Sequence, residues 1–242
     1  ACRCLTNSLF RSQSIRHNTE LRLCFGGASE KVTVAISGGL ARELRPDESA
    51  MAQRLRFSFD RHKAPAPEQG EDESIQKFKQ RQVLESRLQR GFRTLDGGLE
   101  EAIKDALAYR AGSSSVKGRI VVATLDPEGV PISEFLKGLD LRPRTGSVSE
   151  FLFVLGDDKG LSDADNEALT NVLLAIGDSG VSIEPFKVSL GKSMLLASQC
   201  IVLVHHYLDE ILHSCPTRLW EAPGKEIVKR RKQTQSRRKA KV

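Results

Sequence analysis

The apolar run Phe151-Leu152-Phe153-Val154-Leu155 passes straight into Gly156-Asp157-Asp158-Lys159-Gly160, and the same device returns at Val188-Ser189-Leu190-Gly191. These two breaks constrain the fold more than anything else in the chain. Five consecutive apolar residues closed by glycine have the length of a buried strand, and the glycine lets the backbone turn sharply or approach another group closely. After the second break Met194, Leu195, Leu196, Cys200, Ile201, Leu203, Val204, Tyr207, Leu208 and Ile211 recur at helical spacing, which predicts an apolar helix over residues 192–211. Further back, Arg119-Ile120-Val121-Val122-Ala123-Thr124 predicts a strand that ends in the turn Leu125-Asp126-Pro127-Glu128-Gly129. Strands alternating with helices at crossover lengths imply an α/β fold with a largely parallel sheet. Such sheets bind ligands outside the carboxyl ends of their strands, here the loops at 124–129, 155–160 and 189–195.

Ahead of this block, residues 3–16 carry Leu5, Leu9 and Phe10 and predict a helix that stops at His17-Asn18-Thr19. Leu21-Arg22-Leu23-Cys24-Phe25 and Lys31-Val32-Thr33-Val34-Ala35-Ile36 read as a hairpin between glycine pairs. Pro46-Asp47-Glu48-Ser49 starts a helix with acidic residues in its first turn, followed by Met51, Leu55 and Phe59. Residues 62–74, with Pro65, Pro67 and Gly70, form a loop or linker, and 75–95 is a charged segment that suits a surface helix or a binding arm. Short helices are expected over 98–109 and 132–139.

At 242 residues and 39% hydrophobic content the chain can bury a core as one large or two small domains. It lacks an uninterrupted apolar run of about 18 residues, so no membrane span is expected. Cys2, Cys4, Cys24, Cys200 and Cys215 are odd in number and irregularly spaced, which disfavours a disulfide framework and a zinc site; no metal is expected. The two neighbouring histidines His205 and His206 point in different directions on a helix and suit packing better than chelation. Net charge is +6, yet residues 225–242 hold nine Lys or Arg against Glu226, a local +8 that leaves −2 for the rest. This tail cannot bury apolar surface; it reads as a disordered arm that meets phosphates, or as a solubility tail. A basic chain whose sequence starts at Ala1 suits mitochondrial import, and cytosol and nucleus fit as well.

Phe153-Val154-Leu155-Gly156-Asp157 with Gly160, then Val188-Ser189-Leu190-Gly191 followed by Leu196-Ala197-Ser198, Cys200-Ile201-Val202-Leu203, His205 and Leu208-Asp209, resemble in order and spacing the archaeal tRNA pseudouridine N1-methyltransferases of the SPOUT superfamily. Arg3-Cys4-Leu5, Asn7 and Leu9-Phe10 at the start, and Leu44-Arg45-Pro46-Asp47-Glu48-Ser49 beside the family's Asn-Pro-Asp-Glu-Arg-Ser, extend the resemblance over most of the chain, most weakly over 61–118. It implies a SPOUT-type fold with a C-terminal trefoil knot around S-adenosylmethionine, one domain over 1–224 with 62–95 as an insertion or linker, and a basic tail over 225–242. It further implies cofactor contacts from Leu125, Leu155, Gly156, Gly160, Ser189, Leu190, Gly191, Leu195 and Cys200, mostly through backbone, and a homodimer through the knot helices or another protein on that face.

Methylating N1 of pseudouridine removes an imide proton that is held well above neutral pH, so the site needs a base or a means of stabilising the anion. Asp157 and Asp47 are the carboxylate candidates and Arg3 the cationic one, although Asp157 serves equally well as a cap for the next helix. Asn7 and Asp47 would meet the RNA, with Lys229, Arg230, Arg231, Lys232, Arg237 and Arg238 of the tail on phosphates. The chain departs from the family at Asp158, Lys192, Met194-Leu195 and Gln199. Two functions are therefore expected in competition: an RNA methyltransferase acting on tRNA or rRNA, and a SPOUT-fold RNA-binding ribosome-assembly factor with weak or no catalysis.

Overall fold

Leu5 and Leu9, one helical turn apart and fully buried, seat helix α1 (Cys2–Leu9) on the core. A computed structural model of the chain describes residues 1–26, 30–64, 73–111, 119–139, 148–157, 159–177 and 182–214. The first helix is shorter than the sequence predicts. The Leu9 carbonyl accepts the Arg16 amide at 2.7 Å, and the chain folds back as a two-stranded hairpin, β1 (Phe10–Arg11) with β2 (Ser14–Ile15). Ser12 occupies the left-handed region at its tip, φ 57°. Serines that compete for backbone hydrogen bonds favour such a turn over another helical turn.

β3 (Glu20–Phe25) and β4 (Val32–Ser37) form the expected antiparallel pair, and β5 (Phe92–Asp96) adds to the other side of β4. The end of the segment expected to be an insertion thus completes a sheet. As the central strand, β4 is buried from Val32 to Ile36. Over this sheet lie α1 and α2 (Glu48–Lys63), whose Met51 and Leu55 join Leu5, Leu9, Val34, Ile36 and Phe92 in one cluster. α3 (Ile75–Gln89) is a surface helix with no buried residue. The buried Arg54 guanidinium on α2 anchors its far end, donating to the carbonyls of Arg87 and Leu88 and, on the other side, to those of Arg42 and Glu43.

After α4 (Leu99–Ala111), the second half is built on β6 (Arg119–Pro131), flanked in parallel by β7 (Val148–Val154) and β8 (Ile183–Ser189) in the order β7-β6-β8. The parallel sheet expected from sequence thus lies in this half, beside the antiparallel one of the first half. Alternate β6 residues serve opposite faces. Val121 and Ala123 pack with α5 (Ile132–Lys137) and α7 (Ala197–Ser214), and Ile120 and Val122 pack with α4 and α6 (Asp163–Gly177). β7 is an edge strand, so Phe151, Leu152 and Phe153 are half-buried rather than fully buried as their run suggests.

α7 begins at Ala197, not at 192. Gly191 sits at φ 119°, and residues 190–196 take a non-helical path. The Leu196 carbonyl then receives the Gln199 and Cys200 amides while the Gln199 side-chain oxygen accepts the Leu196 amide at 2.9 Å, one half of a capping box. Among the described residues no helix is long and apolar enough to cross a membrane.

Candidate cofactor site

Because β6, β7 and β8 are parallel, their carboxyl ends share one edge of the sheet, and the three glycine-containing loops emerge there. The first leaves β6 after Leu125 and rejoins it at Val130, both facing Val188 of β8, so residues 126–129 loop out of the strand. Asp126 shapes this loop by accepting the Glu128 amide at 3.0 Å and is joined to β8 by Lys187, whose ammonium donates to it at 2.9 Å. That ammonium, and the Glu128 amide after it, hold the Asp126 carboxyl below the usual range.

The second loop closes on itself. A Cβ at Gly156 would fall 2.1 Å from the Gly160 carbonyl carbon, so only glycine permits the approach, and Gly160 takes φ 86°. Asp157 accepts the Lys159 amide through Oδ1 at 2.8 Å, an Asx turn inside its own loop, while the side chain stays exposed. The helix-capping role weighed from sequence falls instead to Ser162, whose hydroxyl accepts the Asp165 amide at 3.1 Å at the start of α6. Asp158 lies outside the described residues.

In the third loop Ser189 is buried, and its hydroxyl donates to the Pro127 carbonyl at 3.0 Å and accepts the Gly191 amide at 3.1 Å. The structure thereby joins the first and third loops. At Gly191 the position a Cβ would take faces open space, with no atom within 4 Å. Leu125, Leu155, Leu190 and Leu195 are half-buried around these loops, an apolar lining with backbone groups beside it. Cys200, one turn into α7, is half-buried; burial pushes its thiol up, which leaves it a packing group and a poor nucleophile. An adenine-bearing ligand fits such a lining: glycines permit close backbone approach, and half-exposed leucines supply the apolar walls.

The N-terminal helix reaches this edge. Asn7 donates to the Ser198 carbonyl in the first turn of α7 at 2.9 Å, and Arg16 forms a two-pronged ion pair with Asp209 at 2.9 and 2.7 Å. Arg3 lies one helical turn before Asn7, on the same side of α1. Its guanidinium pairs with Glu48 of α2 at 2.8 Å, beside Asp47, which caps α2 by accepting the Ala50 amide at 2.7 Å. Arg3, Asn7 and Asp47 therefore cluster about α1, but Asn7 and Asp47 each spend a polar atom on internal contacts. His205 hydrogen-bonds the Ser8 backbone, and burial lowers it to about 4. The tail residues Lys229, Arg230, Arg231, Lys232, Arg237 and Arg238 lie outside the described residues. Sequence reasoning missed Lys187, Gln199 and Arg16; only the Gln199 cap carried a local signal, its place three residues after the helix start.

A family model described as "Putative SAM-dependent RNA methyltransferase" matches residues 1–86, which includes most of α3. A Haloferax volcanii protein named tRNA (pseudouridine(54)-N(1))-methyltransferase is 27% identical over 213 residues, 86% of this chain and 80% of its own. A Methanococcus maripaludis protein of the same name is 25% identical over 211 residues, 87% of this chain and 83% of its own. This chain resembles the S-adenosylmethionine-dependent RNA methyltransferases. S-Adenosylmethionine is accordingly its cofactor. Among solved structures, Archaeoglobus fulgidus Nep1 bound to S-adenosylhomocysteine overlaps 88% of this chain and 69% of its own, with a TM-score of 0.43 and 13% identity.

Proposed function

We propose that the protein is a tRNA pseudouridine N1-methyltransferase. The observation that carries this reading is the Asn7–Ser198 hydrogen bond, which ties the helix bearing Arg3 to the start of α7 at the edge where the three loops emerge. Relatives bearing that activity in their names align with about 86% of the chain and support it. The bound cofactor supplies an electrophilic methyl group. The rest falls to this chain's own residues. Backbone groups around Gly156 and Gly191, with Leu125, Leu155, Leu190 and Leu195, would hold and orient the cofactor and exclude water. Asp157 keeps Oδ2 clear of its Asx turn and would receive the N1 proton; Arg3 would stabilise negative charge on the imide.

The same reading has α7 threaded as the last segment of a trefoil knot, and a homodimer formed across its outward face, where Val202 and His206 are exposed. It places the tail on RNA phosphates. The Asx turn at Asp157 favours a second reading, an RNA-binding factor with weak or no catalysis, because a carboxylate that shapes its own loop is a constrained base. Ribosomal RNA is the alternative substrate within the first.

Incubating the full chain with methyl-labelled S-adenosylmethionine and matched tRNA and rRNA transcripts, each with uridine or pseudouridine at the acceptor position, decides between them. Label transferred only to the pseudouridine tRNA is the expected result. Tight S-adenosylhomocysteine binding without transfer to any transcript would favour the second reading.

A further inference from the structure

We propose that Ser189, with the Lys187–Asp126 ion pair, is a latch that fixes the first loop of the cofactor site to the third and sets cofactor affinity without touching the cofactor. The inference rests on the methyltransferase reading above. Three successive residues of β8 take part. Lys187 donates to Asp126 at 2.9 Å; the Lys187–Val188 backbone lies where a Cβ on Gly129 would come within 2.6 Å; and the Ser189 hydroxyl bridges Pro127 and Gly191. Residues 126–129 have no ladder partner of their own in the sheet, so these contacts are what fasten them to β8.

The chemistry of the hydroxyl points to positioning. Its single proton has the Pro127 carbonyl as its nearer acceptor, 3.0 Å against 3.4 Å for the Gly191 carbonyl, one lone pair takes the Gly191 amide, and at 8% exposure little of it is left for a ligand. Ser189, expected to contact the cofactor directly, is thus assigned to holding the groups that do. A cofactor bound mainly by backbone needs those groups in place beforehand, since ordering a loose loop on binding is subtracted from affinity. The ion pair is the weaker fastening because Lys187 is 72% exposed and water screens it.

The test uses the full chain, with S-adenosylhomocysteine as the probe. Ser189→Ala should accelerate amide exchange at Gly191 and at residues 126, 128 and 129, Pro127 having no amide hydrogen, in the ligand-free protein. It should also raise the calorimetric Kd roughly 2- to 10-fold, the worth of one or two hydrogen bonds. Ser189→Thr, which keeps the hydroxyl, should restore both. Asp126→Lys should weaken binding by up to about 5-fold, and adding Lys187→Asp should recover the share that belongs to the ion pair but not the share that belongs to the lost Glu128 amide contact. Unchanged exchange in Ser189→Ala overturns the latch; faster exchange with unchanged affinity overturns its role in binding. If the unaltered chain does not bind the probe, the methyltransferase reading falls, and the exchange data still decide whether the two loops are latched.

Discussion

In the antiparallel sheet β3-β4-β5 the central strand is buried from Val32 to Ile36, whereas in the parallel sheet the buried part of β6 ends at Ala123 and the strand opens into a loop. Both sheets bury apolar residues against helices, but the connections differ. In the antiparallel half neighbouring strands run in opposite directions, so their carboxyl ends fall on alternating edges, and α1 and α2 cover one face. In the parallel half each strand must cross over, so all three carboxyl ends release loops at one edge. The first half therefore contributes a scaffold and the helix that carries Arg3. The second contributes backbone groups that can meet a ligand. The two are joined at a seam along α7, where Asn7 of α1 meets Ser198 and Arg16, just after β2, meets Asp209.

If that division is right, damage to the scaffold and damage to the loops should separate in their readouts. Leu5→Ala removes a fully buried side chain from the N-terminal cluster and should cost about 2–5 kcal/mol in denaturant unfolding. Cofactor affinity of the protein that remains folded should be nearly unchanged; a large loss of affinity would mean that the halves are not separable.

The seam itself should respond to acid. Burial holds His205 at about 4, so between about 6.5 and 4 the unfolded chain binds a proton that the folded chain does not. Stability should therefore fall as pH drops through that window, by roughly 3 kcal/mol for this group. Asp209, held low by the Arg16 guanidinium, adds a further loss as pH falls through its own folded value. His205→Gln should flatten the slope of stability against pH between 6.5 and 4; an unaltered slope would remove His205 from the seam.

The loops should show the opposite pattern to Leu5. Gly191→Val places a branched side chain at φ 119° and should cost about 1–3 kcal/mol in strain while abolishing S-adenosylmethionine binding in calorimetry. Retained affinity would take Gly191 out of the site. The smallest effect belongs to Asp47→Ala, which removes the α2 cap for about 1 kcal/mol. If Asp47 also meets RNA, affinity for the tRNA transcript should fall beyond what that loss of stability explains.

Local pattern was enough to determine a good deal. The hairpin of β3 and β4, the start of α2 at Asp47, the strand at Arg119 and the glycine breaks at Gly156 and Gly191 all follow from periodicity and from glycine's freedom, which depend on neighbours in the chain. The motif order also led to the resemblance and to its cofactor. Other features had no local signature. Arg16 meets Asp209 across 193 residues, and Ser189 meets Pro127 across 62, contacts that exist only because the chain's path brings distant segments together. The end of α1 at Leu9 and the start of α7 at Ala197 were misplaced because apolar spacing continues past both, while backbone hydrogen bonds to Leu9 and Leu196 set the actual boundaries. β5 was hidden in a charged segment for a related reason. A strand is specified by the partner it pairs with, and that partner, β4, lies some 60 residues earlier in the chain.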